Sequence, residues 1–177
     1  MLKTDMYTIT KTFNTLYHGL RWVSLAMSKD KTRYILNHIN IVGKTAQASD
    51  GRRLHILTNE SLDVIEDGLY NVIKQNAKEI ILAKSDCDMT FPNTAQVIPQ
   101  HSDISFSVNR DDKTDGTIGS LIFQLGKRGL ARLDMALARD MLSHNKDEIT
   151  IHANDNLSPV KFTSKGRVGV LMPLKAD

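Results

Sequence analysis

The chain has 177 residues, of which 41% are hydrophobic and 24% charged, with a net charge of +3. That is the balance of an ordinary globular protein with one full core, too short for two comfortable domains. The lone Cys87 excludes an internal disulfide and suits a reducing cytoplasm; Met1 to Thr10 lack a signal-peptide core, and no apolar run reaches membrane-spanning length.

Met6 to Thr10 alternates as a first strand, and Phe13, Leu16, Tyr17, Leu20, Val23 and Met27 then fall at helical spacing, with Thr10 or Thr12 placed to cap the helix. Its other face carries His18 and Arg21, and Lys29, Lys31 and Arg33 follow in the connection. Tyr34, Leu36, His38 and Asn40 alternate with Ile35, Ile39 and Ile41, which predicts a strand that turns at Val42-Gly43-Lys44. The next strand is interrupted at Ser49-Asp50-Gly51-Arg52-Arg53, where Asp-Gly signals positive φ and hence a turn or bulge, and resumes with Leu54, Ile56 and Thr58. The acidic stretch from Glu60 to Asp67 reads as a loop. Gly68 to Gln75 and Glu79 to Lys84 read as an antiparallel pair turned around Asn76-Ala77.

The second half has the same plan. Ile104 to Val108 is a strand, Asp111 to Gly116 a polar turn, and Thr117 to Leu125 another strand. A helix is predicted from about Leu130 to Ser143, burying Leu130, Leu133, Leu137 and Met141 and projecting Arg128, Arg132 and Arg139 elsewhere. Glu148 to Ala153, Pro159 to Thr163 and Val168 to Leu174 are the closing strands. Both halves end on similar punctuation, Val97-Ile98-Pro99 and Leu171-Met172-Pro173, so the chain reads as an α+β pseudo-repeat of strand, helix, strands over about 1–99 and 100–177, with two helices and antiparallel sheets.

No enzyme chemistry emerges from these residues. The 6 histidines show no metal-ligand spacing, Asp86-Cys87-Asp88 is too local to hold a metal alone, and no serine lies in a nucleophile elbow. No cofactor is expected.

Arg33-Tyr34-Ile35-Leu36-Asn37, a turn, and then Ala48-Ser49-Asp50-Gly51-Arg52-Arg53-Leu54 follow each other in an order and spacing that resembles the bacterial replicative sliding clamp, the β subunit of DNA polymerase III. That family has an Arg-x-x-Leu-Asn strand, a strand ending Ala-Thr-Asp-Gly-His-Arg-Leu and a chain end reading Met-Pro-(Met/Leu). Phe91-Pro92-Asn93 with Val97-Ile98-Pro99 is similar to the segment that closes a clamp domain, and Met172-Pro173-Leu174 to the chain end, so the resemblance spans Phe13 to Leu174. Ser49 stands for the family's Thr, Arg52 for its His, and Gln96 where a basic residue is frequent.

The resemblance implies a single DNA-clamp-type domain, where clamp chains carry three such domains and two chains close a ring around duplex DNA. It implies a hydrophobic groove that captures short peptides of polymerases, clamp loaders and repair proteins, with walls at Leu36, Ser49, Gly51, Arg53, Leu54, Pro92, Val97, Val170, Met172, Pro173 and Leu174. In that groove Arg53 fixes a peptide's polar ends. It also implies sequence-independent contacts from Arg21, Lys29, Arg33, Arg128, Arg132 and Arg139 to DNA phosphates, Arg132 and Arg139 sharing a helical face by their spacing. The expected function is a homo-oligomeric, DNA-encircling processivity factor, of roughly six copies if each supplies one domain. The alternative is a non-encircling adaptor that uses the groove alone.

Overall fold

The computed structural model describes residues 5–108 and 115–175. Ten strands and three α-helices lie among the described residues, and the chain divides into two compact units between Pro92 and Asn93.

In the first unit the strands are β1 (Met6–Thr10), β2 (Ile39–Val42), β3 (Thr45–Ser49), β4 (Arg53–Thr58), β5 (Gly68–Gln75) and β6 (Glu79–Lys84). They form an antiparallel sheet in the order β1-β6-β5-β2-β3-β4. Helix α1 (Asn14–Ser24) packs on this sheet. Leu16, Tyr17, Leu20 and Val23 are buried at the predicted spacing, joined by Trp22, whereas Phe13 stays 59% exposed and Met27 lies beyond the helix end. The expected threonine cap is not made: Phe13 occupies the N-cap position and no side chain closes the first turn.

Two predictions in this unit are corrected. Tyr34 to Asn37 forms a 3-10 turn, not the start of a strand, and the ladder begins only at Ile39. Local bonds outcompete the ladder here. The Leu36 amide donates to Arg33 O at 2.9 Å, the His38 ring pairs with Tyr34 O at 3.0 Å, and the Asn37 amide, turned toward its acceptors, reaches the Asp30 and Ser28 carbonyls. The acidic stretch is likewise ordered, with a 3-10 turn over Glu60–Val64 capped by Asn59.

The second unit contains β7 (Ile104–Val108), α2 (Asp115–Lys127), α3 (Met135–Leu142), β8 (Ile149–Ala153), β9 (Val160–Ser164) and β10 (Arg167–Leu171), with an antiparallel sheet in the order β10-β9-β8-β7. The polar turn expected at 111–116 lies outside the described residues as far as Thr114. The strand expected over Thr117 to Leu125 is a helix, because Ile118, Leu121 and Leu125, all buried, fall on one helical stripe. The long helix expected from Leu130 begins only at Met135. Gly129, at φ +65, ends α2, with the Leu130 amide returning to Leu125 O at 2.9 Å. Asp134 then caps α3 through bonds to the Ala136 and Leu137 amides. Leu130 and Leu133 are buried as expected, but from the link between the helices, and Leu137 is only half-buried. The last strand also stops early, at Leu171, since Pro173 has no N–H to continue a ladder.

Each unit has a glycine where a helix meets a strand. A Cβ on Gly19 of α1 would stand 2.6 Å from Leu57 of β4, and one on Gly169 of β10 would stand 2.0 Å from the Met141 sulfur of α3. Leu57 is itself buried and has no room to withdraw. Gly19→Ala is therefore expected to destabilise the protein by about 1–3 kcal/mol despite the better helix propensity of alanine. Urea unfolding with a lowered midpoint and an unchanged slope would show it.

Candidate functional site

The turn between β3 and β4 is held by a dense set of bonds. Gly51 sits at φ +86, as the Asp-Gly pair predicts, so the interruption is a hairpin turn and not a bulge within one strand. Asp50 Oδ1 accepts the Arg52 and Arg53 amides at 2.9 and 3.1 Å, and Ser49 Oγ donates to Arg53 O at 2.8 Å while accepting the Gly51 amide. The Arg53 side chain, only 8% exposed, donates from Nε to Asp50 Oδ2 at 3.0 Å and from Nη2 to Leu25 O at the end of α1. Arg33 adds an outer brace, donating from Nη1 to Asp50 O at 3.0 Å. Asp30 Oδ2 lies 3.7 Å from Arg33 Nε, and bonds from the Thr32 hydroxyl and amide hold the Asp30 carboxyl below its ordinary range.

Of the predicted groove residues in this unit, Leu54 is buried in the core, Leu36 and Ser49 are half-buried, and Pro92 is exposed. Arg53 and Ser49 are committed to the turn itself, so their polar groups shape the loop.

In the second unit several of the predicted residues are exposed apolar side chains. Val97, at the end of a 3-10 turn over Ala95–Val97, is 46% exposed, and Met172 and Leu174 are 41% and 39% exposed. Val170 is buried in β10 and Pro173 is half-buried. Beyond β10 the chain is held by the Leu174 amide, which donates to Arg132 O at 2.7 Å.

The segment from Pro99 to Asp103 is fastened to β8 and β9 by side chains. Lys161 Nζ donates to Pro99 O at 2.8 Å, Asn154 Nδ2 donates to His101 O at 3.1 Å, and Asn154 Oδ1 accepts the Asp103 amide at 2.8 Å. His152 lies between Ser102 Oγ at 3.3 Å and Thr163 Oγ1 at 2.9 Å. Neither Lys161 nor Asn154 stood out in the sequence: each works on a segment about 50 or more residues away, and only the place of Lys161 within a predicted strand was readable there.

The predicted phosphate contacts fall in several settings. Arg21 on α1 is half-buried, donates to Tyr17 Oη at 2.9 Å and lies over the Tyr17 ring, whose hydroxyl in turn donates to Asn76 O. Lys29 is exposed in the connection after α1. Arg128 follows α2, donates to Gln124 Oε1 at 2.6 Å and stacks over Phe106 at 4.8 Å. Arg139 is exposed on α3, and Arg132 is exposed in the link before it. Arg132 is on no helix, so the seven-residue spacing does not place it and Arg139 on one helical face. Among the described residues no group of three or more His, Cys, Asp or Glu side chains is placed to hold a metal, and no helix is long and apolar enough to cross a membrane.

Burial first, and the neighbouring Lys161 ammonium second, push the His152 imidazole below its ordinary value of 6.5. The fold therefore favours neutral His152. Its contribution to stability is complete above the unfolded-state value and is lost as pH falls through 6.5 and then through the lower folded value. The thermal midpoint is expected to fall on acidification from pH ~7 to ~5 by less in His152→Gln than in the unsubstituted protein. Parallel melting curves across that range check it, and superimposable pH profiles would contradict it.

No protein-family model matches the chain, and no curated protein matches it by sequence. Solved structures do match. The DNA polymerase sliding clamp of Bacillus subtilis aligns over 100% of this chain and 67% of its own, at 14% identity and a TM-score of 0.65. The DNA polymerase III subunit beta of Borrelia burgdorferi, solved in complex with a natural product, aligns over 100% of this chain and 66% of its own, at 11% identity and a TM-score of 0.66. The sliding clamp of Bartonella birtlesii, solved bound to griselimycin, aligns over 99% of this chain and 68% of its own, at 17% identity and a TM-score of 0.63. This chain thus spans about two thirds of the length of those clamps, and across its whole length it has the fold of the DNA polymerase III β sliding clamp.

Proposed function

We propose that this protein is a non-catalytic, clamp-like processivity factor that closes around duplex DNA as a homo-oligomer and holds replication proteins by their peptide tails. The observation that carries the reading is the clamp fold over the whole chain, and the sequence motifs that resemble those of the clamp groove support it. Assembly is supported by the strand edges: β1 ends the strand order of the first unit and β7 that of the second, each with a neighbour on one side only among the described residues. Unpaired edges recruit further strands unless protected, and a head-to-tail contact that closes gives a ring. Roughly six copies reproduce the clamp ring if each chain is one domain, and about three if each unit stands for a domain, which the two-thirds coverage favours. Sedimentation at tens of micromolar is expected to give one of these masses. A monomer alone would favour the adaptor reading, in which the groove works without encirclement.

Phosphate contacts that read no bases make binding indifferent to sequence and sensitive to salt. Replacing Arg132 and Arg139 by Ala is expected to lower the slope of log K against log salt by up to about 2. Closed circular DNA is expected to be retained at moderate salt while linear DNA of equal length slides free. Equal retention of both forms would sink encirclement, and an unchanged slope would return these two arginines to the solvated surface.

For the groove, the exposed Met172 and Leu174 are the anchors to truncate, because Leu54 is in the core and its loss would weaken the fold itself. Met172→Ala with Leu174→Ala is expected to cost a griselimycin complex about 1–3 kcal/mol per anchor with thermal stability nearly unchanged. Calorimetric titration of the folded double variant decides it. Unaltered affinity would remove the terminal segment from the groove.

A further inference from the structure

Val97 is half-exposed at the end of its 3-10 turn, where its amide donates to Thr94 O at 3.2 Å, so the core does not fix its side chain and the backbone on either side must. The backbone that follows, from Pro99 to Asp103, enters β7 only at Ile104. Past the turn, the first bond that ties this backbone to the sheet is the one from the Lys161 ammonium to the Pro99 carbonyl, two residues beyond Val97, at 2.8 Å. Asn154 repeats the clasp at both ends of the next stretch, donating to His101 O and accepting from the Asp103 amide. These ties come from β9 and from the residue that follows β8, and the two strands are in register: His152 pairs with Lys161 across β8 and β9, and with Ser105 of β7. The segment is therefore stapled across the sheet.

We propose that Lys161, with Asn154 behind it, is a positioning residue for the peptide groove, fixing where Val97 stands by holding the Pro99–Asp103 segment on the sheet without touching the peptide. The proposal rests on the groove reading given above. The physical basis is that a hydrogen bond from a charged donor is stronger than one between neutral groups, and that a half-exposed apolar anchor transmits backbone displacement directly to whatever packs on it. A shift of the wall loses contacts that no other group of the segment replaces.

The test uses the full chain with Lys161→Met, which keeps the aliphatic stem and removes the ammonium, Lys161→Arg, which restores a charged donor, and Asn154→Ala. Two quantities are read on each: amide hydrogen exchange over residues 97–103 and griselimycin affinity by calorimetry. Lys161→Met and Asn154→Ala are expected to speed exchange over 97–103 and to weaken griselimycin about tenfold, and Lys161→Arg to recover most of both. Rescue by arginine together with localised exchange separates positioning from a general loss of stability. Unchanged exchange over 97–103 in Lys161→Met overturns the clasp, and unchanged griselimycin affinity with faster exchange overturns its link to the groove. Failure of the unsubstituted protein to bind griselimycin overturns the groove reading and the positioning role with it, an outcome distinct from a loss seen only in the variants.

Discussion

The buried guanidinium of Arg53 ties together parts of the first unit that share no backbone ladder. It reaches the carboxylate of Asp50 in the turn and the carbonyl of Leu25 at the end of α1, so the hairpin β3–β4 and the helix above it are fastened at one point. A charge this deep is costly to bury, and the cost is offset only when its donors are met. Removing one partner of such a pair typically costs roughly 3–5 kcal/mol. The consequence for the candidate groove is direct. Arg53 cannot leave the turn to follow a ligand, so what the turn offers a partner is a fixed backbone shape with Arg33 braced against its outer side.

The second unit solves a similar problem with another cation. Irregular segments have carbonyls without ladder partners, and buried or half-buried ones must find a donor. In the first unit Arg53 meets Leu25 O and Arg33 meets Asp50 O; in the second Lys161 meets Pro99 O. Each cation thereby holds a loop carbonyl, and the surface ion pair that Arg33 also makes with Asp30 adds little to this. Loops held in this way combine an irregular path with a defined position, which is what a recognition surface needs.

The sequence announced those parts of the fold whose causes are local. β1, β5, β6 and β7 have the predicted bounds because alternation and turn residues are short-range signals, and the positive φ of Gly51 follows from Asp-Gly alone. α2 stands where a strand is expected over Thr117 to Leu125, and the stripe that decides for a helix, Ile118, Leu121 and Leu125, becomes visible only once its burial is known. The 3-10 turn at Tyr34 was hidden for the opposite reason. Its residues alternate like a strand, yet side-chain bonds of Asn37 and His38 to nearby carbonyls hold them in a turn. In the candidate site the turn residues were legible, but the duties of Arg33, Arg53, Lys161 and Asn154 were not, since the carbonyls they hold lie 17 to 62 residues away along the chain.

The settings of the cations bear on how a clamp-like protein with a net charge of +3 could stay on DNA. Arg21 is engaged with Tyr17, Arg33 with Asp50 and Asp30, and Arg128 with Gln124 and the Phe106 ring. A phosphate would have to share these guanidinium groups with the partners they already have, and Asp134 and Asp140 flank the exposed Arg139 in sequence. Affinity from such contacts is modest and fades with salt, as counterion release requires. Weak contacts nonetheless suit sliding, because a strong phosphate grip would have to be broken at each step along the duplex. On the proposed reading, then, retention has to come from a closed ring, and the dispersed, partly satisfied cations are consistent with a surface that guides the duplex without gripping it.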